Sequence, residues 1–490
     1  MTQATEIESF LAGFDTHFTH PLYLSDAGCT PRGTAMAKAR ALAARLQASG
    51  REGDRVLILC DRPEAAVSGF FACIMAGLCA VPLHPATPDA GMAHIRADSG
   101  AALLISDRAS DVLPQPLVDL PLIAPTDTET GAPLVQATPD PARMVALLYT
   151  SGTTGAPRSV MVTLGNLACA ADRLKNDFFR LDARDVILMA APLSNIYGVC
   201  MASVALVTGA GLSFAAALRP DALIAALVRD KVTFMTGVPL LGQLVLGGAR
   251  QAGTDLPDLR RVLPAGTKLD PALADAMAGT FGCEVMTGYA MTEAVPIAIA
   301  LDHRETPPGL VGQIAPGLDL QIVNEDMAPA PQGEAGEILI RGDMVTPGYW
   351  QNESANSAAF HEGWFRTGDV GRLDAEGRLF LVDRIKELIK TAGNTVFPSE
   401  VETVLRAHPA LRDVAVVGAP NNKLGEVVAA HVIAADPANV PDAATLRARC
   451  AERLIAFKLP RRFVFHDSFP MTASGKVAKH QLATQAKADV

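Results

Sequence analysis

The sequence predicts an α/β protein: a large N-terminal domain of parallel-rich sheets covered by helices, with a small β subdomain, followed by a small α+β C-terminal domain. Three observations lead there. Up to Gly309, short apolar runs with no charge alternate with helix-length segments, and strands buried on both faces read as continuous apolar runs. After Gly309 the texture changes to short strands punctuated by glycine. Beyond Asp383 a charged segment gives way to a compact mixture of strands and helix.

The elements follow in chain order. Residues 35–47 form an alanine-rich helix pattern closed by Ser49-Gly50. "GDRVLIL" (53–59) reads as a strand, 63–75 as a helix and "CAVPL" (79–83) as the next strand. Residues 101–105, 186–189, 211–214 and 232–235 are further apolar runs separated by helical lengths. "LDLQIVN", "GEILIRG" and "GRLFLVDR" supply the β subdomain. In the last part, 413–419, 426–434 and 462–467 read as strands and 443–454 as a helix. The domain boundary is placed between Ile385 and Lys386, giving domains 1–385 and 386–490.

Composition narrows the function classes. A chain of 490 residues is too long for one core. Its 49% apolar and 19% charged residues mark a globular protein. A net charge of −10 disfavours a nucleic-acid partner, which a basic face would attract. Small anions are not excluded, because local backbone amides bind them in acidic proteins. The eight cysteines include no C-x-x-C pair and suggest reduced thiols in the cytoplasm. The N-terminus lacks the basic-then-apolar layout of a signal peptide. The uncharged runs 65–83 and 186–218 approach membrane-spanning length, but glycines and prolines divide each into a buried helix and buried strands. No membrane span is expected.

Five stretches carry candidate chemistry. In "LLYTSGTTGAPRSVMVT", the hydroxyls of Thr150, Ser151, Thr153 and Thr154 and the bare backbones of Gly152 and Gly155 suit an oxyanion. The common phosphate loop would have a second glycine and a lysine where this chain has Pro157 and Arg158. Alone, the stretch reads equally as a polar hairpin. In "GYAMTEA", Thr292 suits a phosphate oxygen and Glu293 suits Mg²⁺, a hard cation wanting oxygen ligands; the pair is also a common helix start. Asp369 in "WFRTGDVG" suits two ribose hydroxyls, or is a turn aspartate. "VDRIKELIKTAGNTVFPSEVE" is dense in charge around Gly393 and reads alternatively as a solvated helix. "PMTASGKVAKHQL" presents Lys476 after a glycine turn, or merely exposes a lysine.

In this order and over this length, the five stretches resemble the acyl-adenylate-forming enzymes, among them acyl-CoA synthetases, the adenylation domains of peptide synthetases and firefly luciferase. The resemblance runs from about Gly53 to Leu482. It implies that a carboxylate attacks the α-phosphorus of MgATP to give an acyl-AMP, and that a thiol such as coenzyme A then displaces AMP. Carried over by motif, residues 150–155 hold the departing phosphates, Thr292 contacts the α-phosphate and Glu293 binds Mg²⁺. Gly266, Thr267 and Lys268, with Gly288 and Tyr289, flank the adenine and the acyl tunnel. Asp369 and Arg384 hold the ribose. Lys476 bridges carboxylate and α-phosphate, and Lys386 is the hinge of a mobile C-terminal domain. Its rotation exchanges Lys476 for the face from Lys390 to Gly393.

The chain departs from the family pattern at four places. Arg158-Ser159 replace lysine and glycine, and arginine keeps the charge but changes its geometry. Asn195 in "PLSNIYG" replaces a histidine bordering the acyl and thiol tunnels. Lys268 stands where proline is usual, and Ala290 where glycine lets a long chain pass. The pocket stretches "SNIYG", "TGVPLL" and "GYAM" are small and apolar, which favours a medium-chain fatty or aromatic acid. Lys268 leaves a dicarboxylate open. The acceptor is expected to be coenzyme A, with a carrier-protein phosphopantetheine as the alternative. A weakened binding homologue is the non-catalytic reading. The expected state is monomer or homodimer.

Overall fold

The computed structural model describes residues 2–16, 19–125, 133–135, 137–150, 157–267, 269–307, 309–471 and 477–488. The chain divides into two compact units: Met1–Leu320 with Ile340–Phe365, and Gln321–Leu339 with Arg366–Val490.

The first unit is built on two parallel-rich sheets. One runs Leu122–Ile123, Leu103–Ser106, Arg55–Leu59, Cys79–Pro82, Met144–Thr150 and Arg158–Thr163. Only its last pair is antiparallel. That pair sets Thr150 opposite Arg158, so the first motif joins the two strands of an edge hairpin. The second sheet runs Glu284–Val285, Arg261–Pro264, Phe234–Gly237, Val186–Leu188, Gly211–Ser213, Pro21–Ser25 and Gly28–Pro31. Again only the last pair is antiparallel.

Both uncharged runs resolve as their glycines and prolines predict. The first gives the helix Pro63–Ala76 and the strand Cys79–Pro82; the second gives Val186–Leu188, the helix Ile196–Thr208 and Gly211–Ser213. Among the described residues, no helix is long and apolar enough to cross a membrane. The buried end of Ile196–Thr208 still has to satisfy its last carbonyls. The fully buried Arg32 does so, donating to the carbonyls of Ala205 (2.7 Å) and Leu206 (3.4 Å) and, just past the helix, of Ala210 (3.2 Å). Burial lowers its pKa to about 10.

Where glycine begins to punctuate the strands, pairing turns antiparallel. Thr287–Met291 and Ala294–Ala300 form a hairpin, and Leu310–Ile314 pairs with its second strand.

In the second unit, Trp364–Leu373 and Leu379–Arg384 are antiparallel. A further sheet is organised around the long hairpin Leu411–Asn421 and Gly425–Ala434. Strand alternation gives it two cores: Val414 and Val416 face one with Leu405 and Leu446, while Ala415 and Val417 face the other with Leu482. The charged stretch after Asp383 is not a helix. It forms a short 3₁₀ turn, Ile385–Glu387, and then the tight hairpin Ile389–Thr391 and Asn394–Val396. Ala392 and Gly393 make its turn with φ of 48° and 80°. Two successive positive φ values belong to the turn type that matches strand twist, and glycine is strongly favoured there.

Candidate active site

The Thr292–Glu293 pair sits at the turn of the hairpin Thr287–Met291 and Ala294–Ala300, not at a helix start. Gly288, Tyr289 and Ala290 precede it on the same strand. These three residues line an apolar space, together with Phe179, Tyr197 and Leu263. Thr292 and Glu293 line a second cleft with Asn166 and Thr346. Cys200 and Val295 line both spaces, so the two adjoin. One hairpin therefore presents apolar walls to one space and a hydroxyl and a carboxylate to the next.

Glu293 is held by groups the sequence analysis did not single out. Tyr349 donates its hydroxyl to Glu293 Oε1 at 2.9 Å, and the Thr346 amide donates to the Glu293 carbonyl at 2.7 Å. Burial, reinforced by the Glu293 charge, pushes the Tyr349 phenol well above its ordinary pKa. It remains a hydrogen-bond donor at neutral pH. Arg158 lies over the Tyr349 ring, its guanidinium carbon 5.4 Å from the ring centre. One signal was available in the sequence: Tyr349 and Trp350 are adjacent in a chain with only five tyrosines and two tryptophans.

The other expected residues of the first unit are more scattered in role. Asn195 caps the helix Ile196–Thr208, its side chain accepting from the Tyr197 amide at 2.9 Å. An amide side chain is a strong N-cap, which gives this departure a structural reason. The next residue but one, Tyr197, is partly buried, and burial raises its pKa. Gly266 and Thr267 follow the strand Arg261–Pro264 and are exposed. Thr150 ends its strand, its hydroxyl 3.5 Å from the Arg158 carbonyl. Ser151, Gly152, Thr153, Thr154, Gly155, Lys268 and Lys476 lie outside the described residues.

The second unit brings Asp369 and Arg384 together. They are cross-strand partners, with Arg384 Nε 3.2 Å from Asp369 Oδ1. Lys390 Nζ donates to Glu325 Oε1 at 2.6 Å and to Thr395 Oγ1 at 2.8 Å. Asp383, also unforeseen, accepts from the Ser399 amide at 2.9 Å at the start of the helix Pro398–Arg406, and burial raises its pKa. Lys479 lies between two carboxylates, 2.9 Å from Glu387 and 2.9 Å from Glu402. Burial opposes the charge of Lys479, but Glu402 and Glu387 outweigh it and raise its pKa. Burial likewise opposes the charge of Glu402, yet Lys479 and Arg406 bring its pKa down.

Comparison with known proteins agrees with this layout. The family described as "AMP-binding enzyme" matches residues 33–350, and "AMP-binding enzyme C-terminal domain" matches residues 400–476. A feruloyl-CoA synthase from Amycolatopsis sp is 33% identical over 459 residues, 90% of this chain and 91% of the relative. A fatty acid–[acyl-carrier-protein] ligase, ScoC, from Streptomyces coeruleorubidus is 30% identical over 471 residues, 90% of this chain and 88% of the relative. The crystal structure of ATP-bound MatB from Rhodopseudomonas palustris superposes with a TM-score of 0.89 at 26% identity, covering 98% of this chain and 99% of that one.

Proposed function

The chain belongs to the AMP-binding enzyme family and is an AMP-forming acid–thiol ligase, and from that premise we propose how its residues divide the reaction and which acid it takes. The carboxylate oxygen attacks the α-phosphorus of ATP and pyrophosphate leaves, giving the acyl-AMP. A thiol sulfur then attacks the acyl carbon, and AMP leaves. The first step brings two anions together, so positioning and charge neutralisation are what the protein has to supply.

Residues 150–155 hold the departing phosphates, with Arg158 at the exit of their hairpin. Thr292 donates to the α-phosphate. Glu293 fits Mg²⁺: this ion takes most of its ligands from water and phosphate and needs only one or two carboxylates. When bound, Mg²⁺ supplies neutralising charge to the phosphates. Gly266, Thr267 and Lys268 flank the adenine. Asp369 accepts from the ribose hydroxyls, and Arg384 keeps that carboxylate oriented. Lys476 spans the acid and the α-phosphate during adenylation. The C-terminal domain, residues 386–490, then turns about Lys386 and brings the hairpin from Lys390 to Gly393 into play for thiol attack.

The observation that carries the reading is the shared hairpin, which puts an apolar cavity next to a threonine–glutamate turn. An uncharged acyl tail lying against Gly288, Tyr289 and Ala290 would present its carboxylate toward Thr292. Phe179, Tyr197 and Leu263 favour a medium-chain fatty or aromatic acid. Coenzyme A is the preferred acceptor, as in the feruloyl-CoA synthase. The carrier-protein ligase among the relatives keeps phosphopantetheine as a second reading. All eight cysteines are free thiols, in keeping with the cytoplasm.

The test is pyrophosphate release from MgATP across a panel of carboxylates, followed by addition of coenzyme A to the adenylate. Release with fatty or aromatic acids and conversion to a thioester is the expected result. Release without coenzyme A consumption would move the acceptor to a carrier protein. Release only with dicarboxylates or amino acids would overturn the substrate class.

A further inference from the structure

The segment after the strand Gly336–Gly342 clasps both halves of the nucleotide machinery of the first unit, and one tyrosine stands at the centre of the clasp. Its backbone is fixed on both sides. The Tyr349 amide donates to Asn356 Oδ1 at 2.7 Å, and Asn356 Nδ2 donates to the Tyr349 carbonyl at 2.9 Å. The close approach of that amide explains Gly348, whose φ is +138° and where a Cβ would lie 2.5 Å from Asn356 Oδ1. Tyr349 also bridges to Val160, and Trp350 N donates to the Ser159 carbonyl at 2.9 Å. The Met161 amide donates to the Gly348 carbonyl at 3.0 Å, so the strand that leaves the phosphate hairpin is bonded to the residues on either side of the tyrosine. Beyond the backbone, the ring is covered by Arg158 and the hydroxyl is spent on Glu293. With 5% of its surface exposed, Tyr349 has little room for another arrangement.

We propose that Tyr349 is a positioning residue that fixes the Glu293 carboxylate for the nucleotide's Mg²⁺, and that Arg158 acts on Glu293 through the Tyr349 ring. The proposal rests on Glu293 as the metal ligand. A carboxylate on a short turn has rotamers that point away from the cleft; the phenol hydrogen bond to Oε1 selects one of them. A bond to a charged acceptor is strong enough to make that selection. Arginine at 158 now has a reason that lysine would not satisfy. A planar guanidinium stacks on an aromatic face, whereas an ammonium is a compact, strongly hydrated charge. Residue 158 and the metal carboxylate are thus two ends of one side-chain relay.

The experiment compares wild type, Tyr349→Phe, Arg158→Lys, the double variant and Glu293→Gln. Each is assayed for the free Mg²⁺ giving half-maximal pyrophosphate release. ATP binding is measured calorimetrically with and without Mg²⁺, and Mn²⁺ binding to the ATP complex is followed by electron paramagnetic resonance. Thermal melting checks folding; Tyr349→Phe keeps the ring and its packing. Tyr349→Phe should raise the Mg²⁺ requirement about 10-fold, as loss of a hydrogen bond to a charged group predicts. Binding of metal-free ATP should stay within about 2-fold, because only the metal ligand is disturbed. Arg158→Lys should shift the requirement about 3-fold in the same direction, the size of a lost ring contact. The double variant should be no worse than Tyr349→Phe alone, as one relay demands. A normal Mg²⁺ requirement in Tyr349→Phe, with Glu293→Gln shifted, would overturn the positioning role and leave Glu293 as ligand. A normal requirement in Glu293→Gln would overturn both. Additive Arg158 and Tyr349 effects would break the relay.

Discussion

Glu293 in the first unit and Lys390 in the second are both charged groups expected to serve the reaction, yet they are held in opposite ways. Glu293 is bonded through its carboxylate by Tyr349 and through its carbonyl by Thr346. Lys390 is 54% exposed and its carboxylate partner Glu325 is 85% exposed. Water screens an ion pair this exposed, so exchanging it for water or another anion costs little. Glu325 precedes the proposed hinge at Lys386 and Lys390 follows it. A turn about residue 386 has to break this pair. The contrast with Lys479 is instructive, because Lys479 and both of its partners, Glu387 and Glu402, follow residue 386 and would travel together.

The largest expected effect belongs to Lys476→Ala. Pyrophosphate release should fall about 10³-fold, the scale of losing one preorganised charge-stabilising donor. Thioester formation from supplied acyl-AMP should remain near wild type. Equal loss of both half-reactions in a folded variant would remove the division of labour between the two faces of the C-terminal domain.

Lys479→Met should come next, through stability. It leaves Glu402, 7% exposed, without its ammonium partner, and breaking one side of a buried pair costs about 3 kcal/mol or more. The pH dependence has a definite sign. The pKa of Glu402 is lowered and that of Lys479 is raised. The wild-type contribution is therefore full above about 4.3 and below about 10.4, the ordinary values of the two groups. It is lost as pH falls through the lowered glutamate pKa, or as pH rises through the raised lysine pKa. Denaturant unfolding at pH 7 should show the deficit, and the gap to wild type should narrow toward pH 3. A deficit below 1 kcal/mol at pH 7 would mean that the triad is not the fixed element it is taken to be.

Lys386→Pro should spare adenylation and slow thioester formation by about 10²-fold, the cost of a small misplacement of reacting groups. Single-turnover assays of each half-reaction separate the two. Slowing of adenylation alone would put the hinge elsewhere. The smallest effect is expected from Glu325→Gln, whose denaturant midpoint should match that of wild type, as for other exposed pairs. A tenfold change in either half-reaction would show that Lys390 is held far more firmly than its exposure implies.

The large features of the fold were legible because they rest on local chemistry. Uncharged apolar runs have to become buried strands and helices, and the glycines and prolines within 65–83 and 186–218 mark where each run divides. The order of the five motifs pointed to the reaction class in another way, through the resemblance of the ordered set to a known family. Asp369 and Arg384, which that resemblance pairs at the ribose, are cross-strand neighbours. Other features were not legible. Asn195 reads only as a departure at the tunnel border; that it also caps a helix shows only in the backbone direction at Ile196. The charged stretch after Asp383 allowed a solvated helix. Its outcome depended on the positive-φ turn at Ala392 and Gly393 and on long-range pairing of Thr391 with Gly425.

The sequence by itself determined the architecture, because burial pattern is a property of the residues, and its ordered motifs, through their resemblance to a known family, pointed to the reaction class and to Thr292, Glu293, Asp369 and Arg384 as candidates. Only the tertiary structure decided how Glu293 is aimed. Tyr349 is 56 residues away from it in the chain, and Arg158 lies much farther upstream still. Their meeting depends on a strand edge, a hairpin turn and a returning segment being folded against one another, and residue spacing carries no record of that.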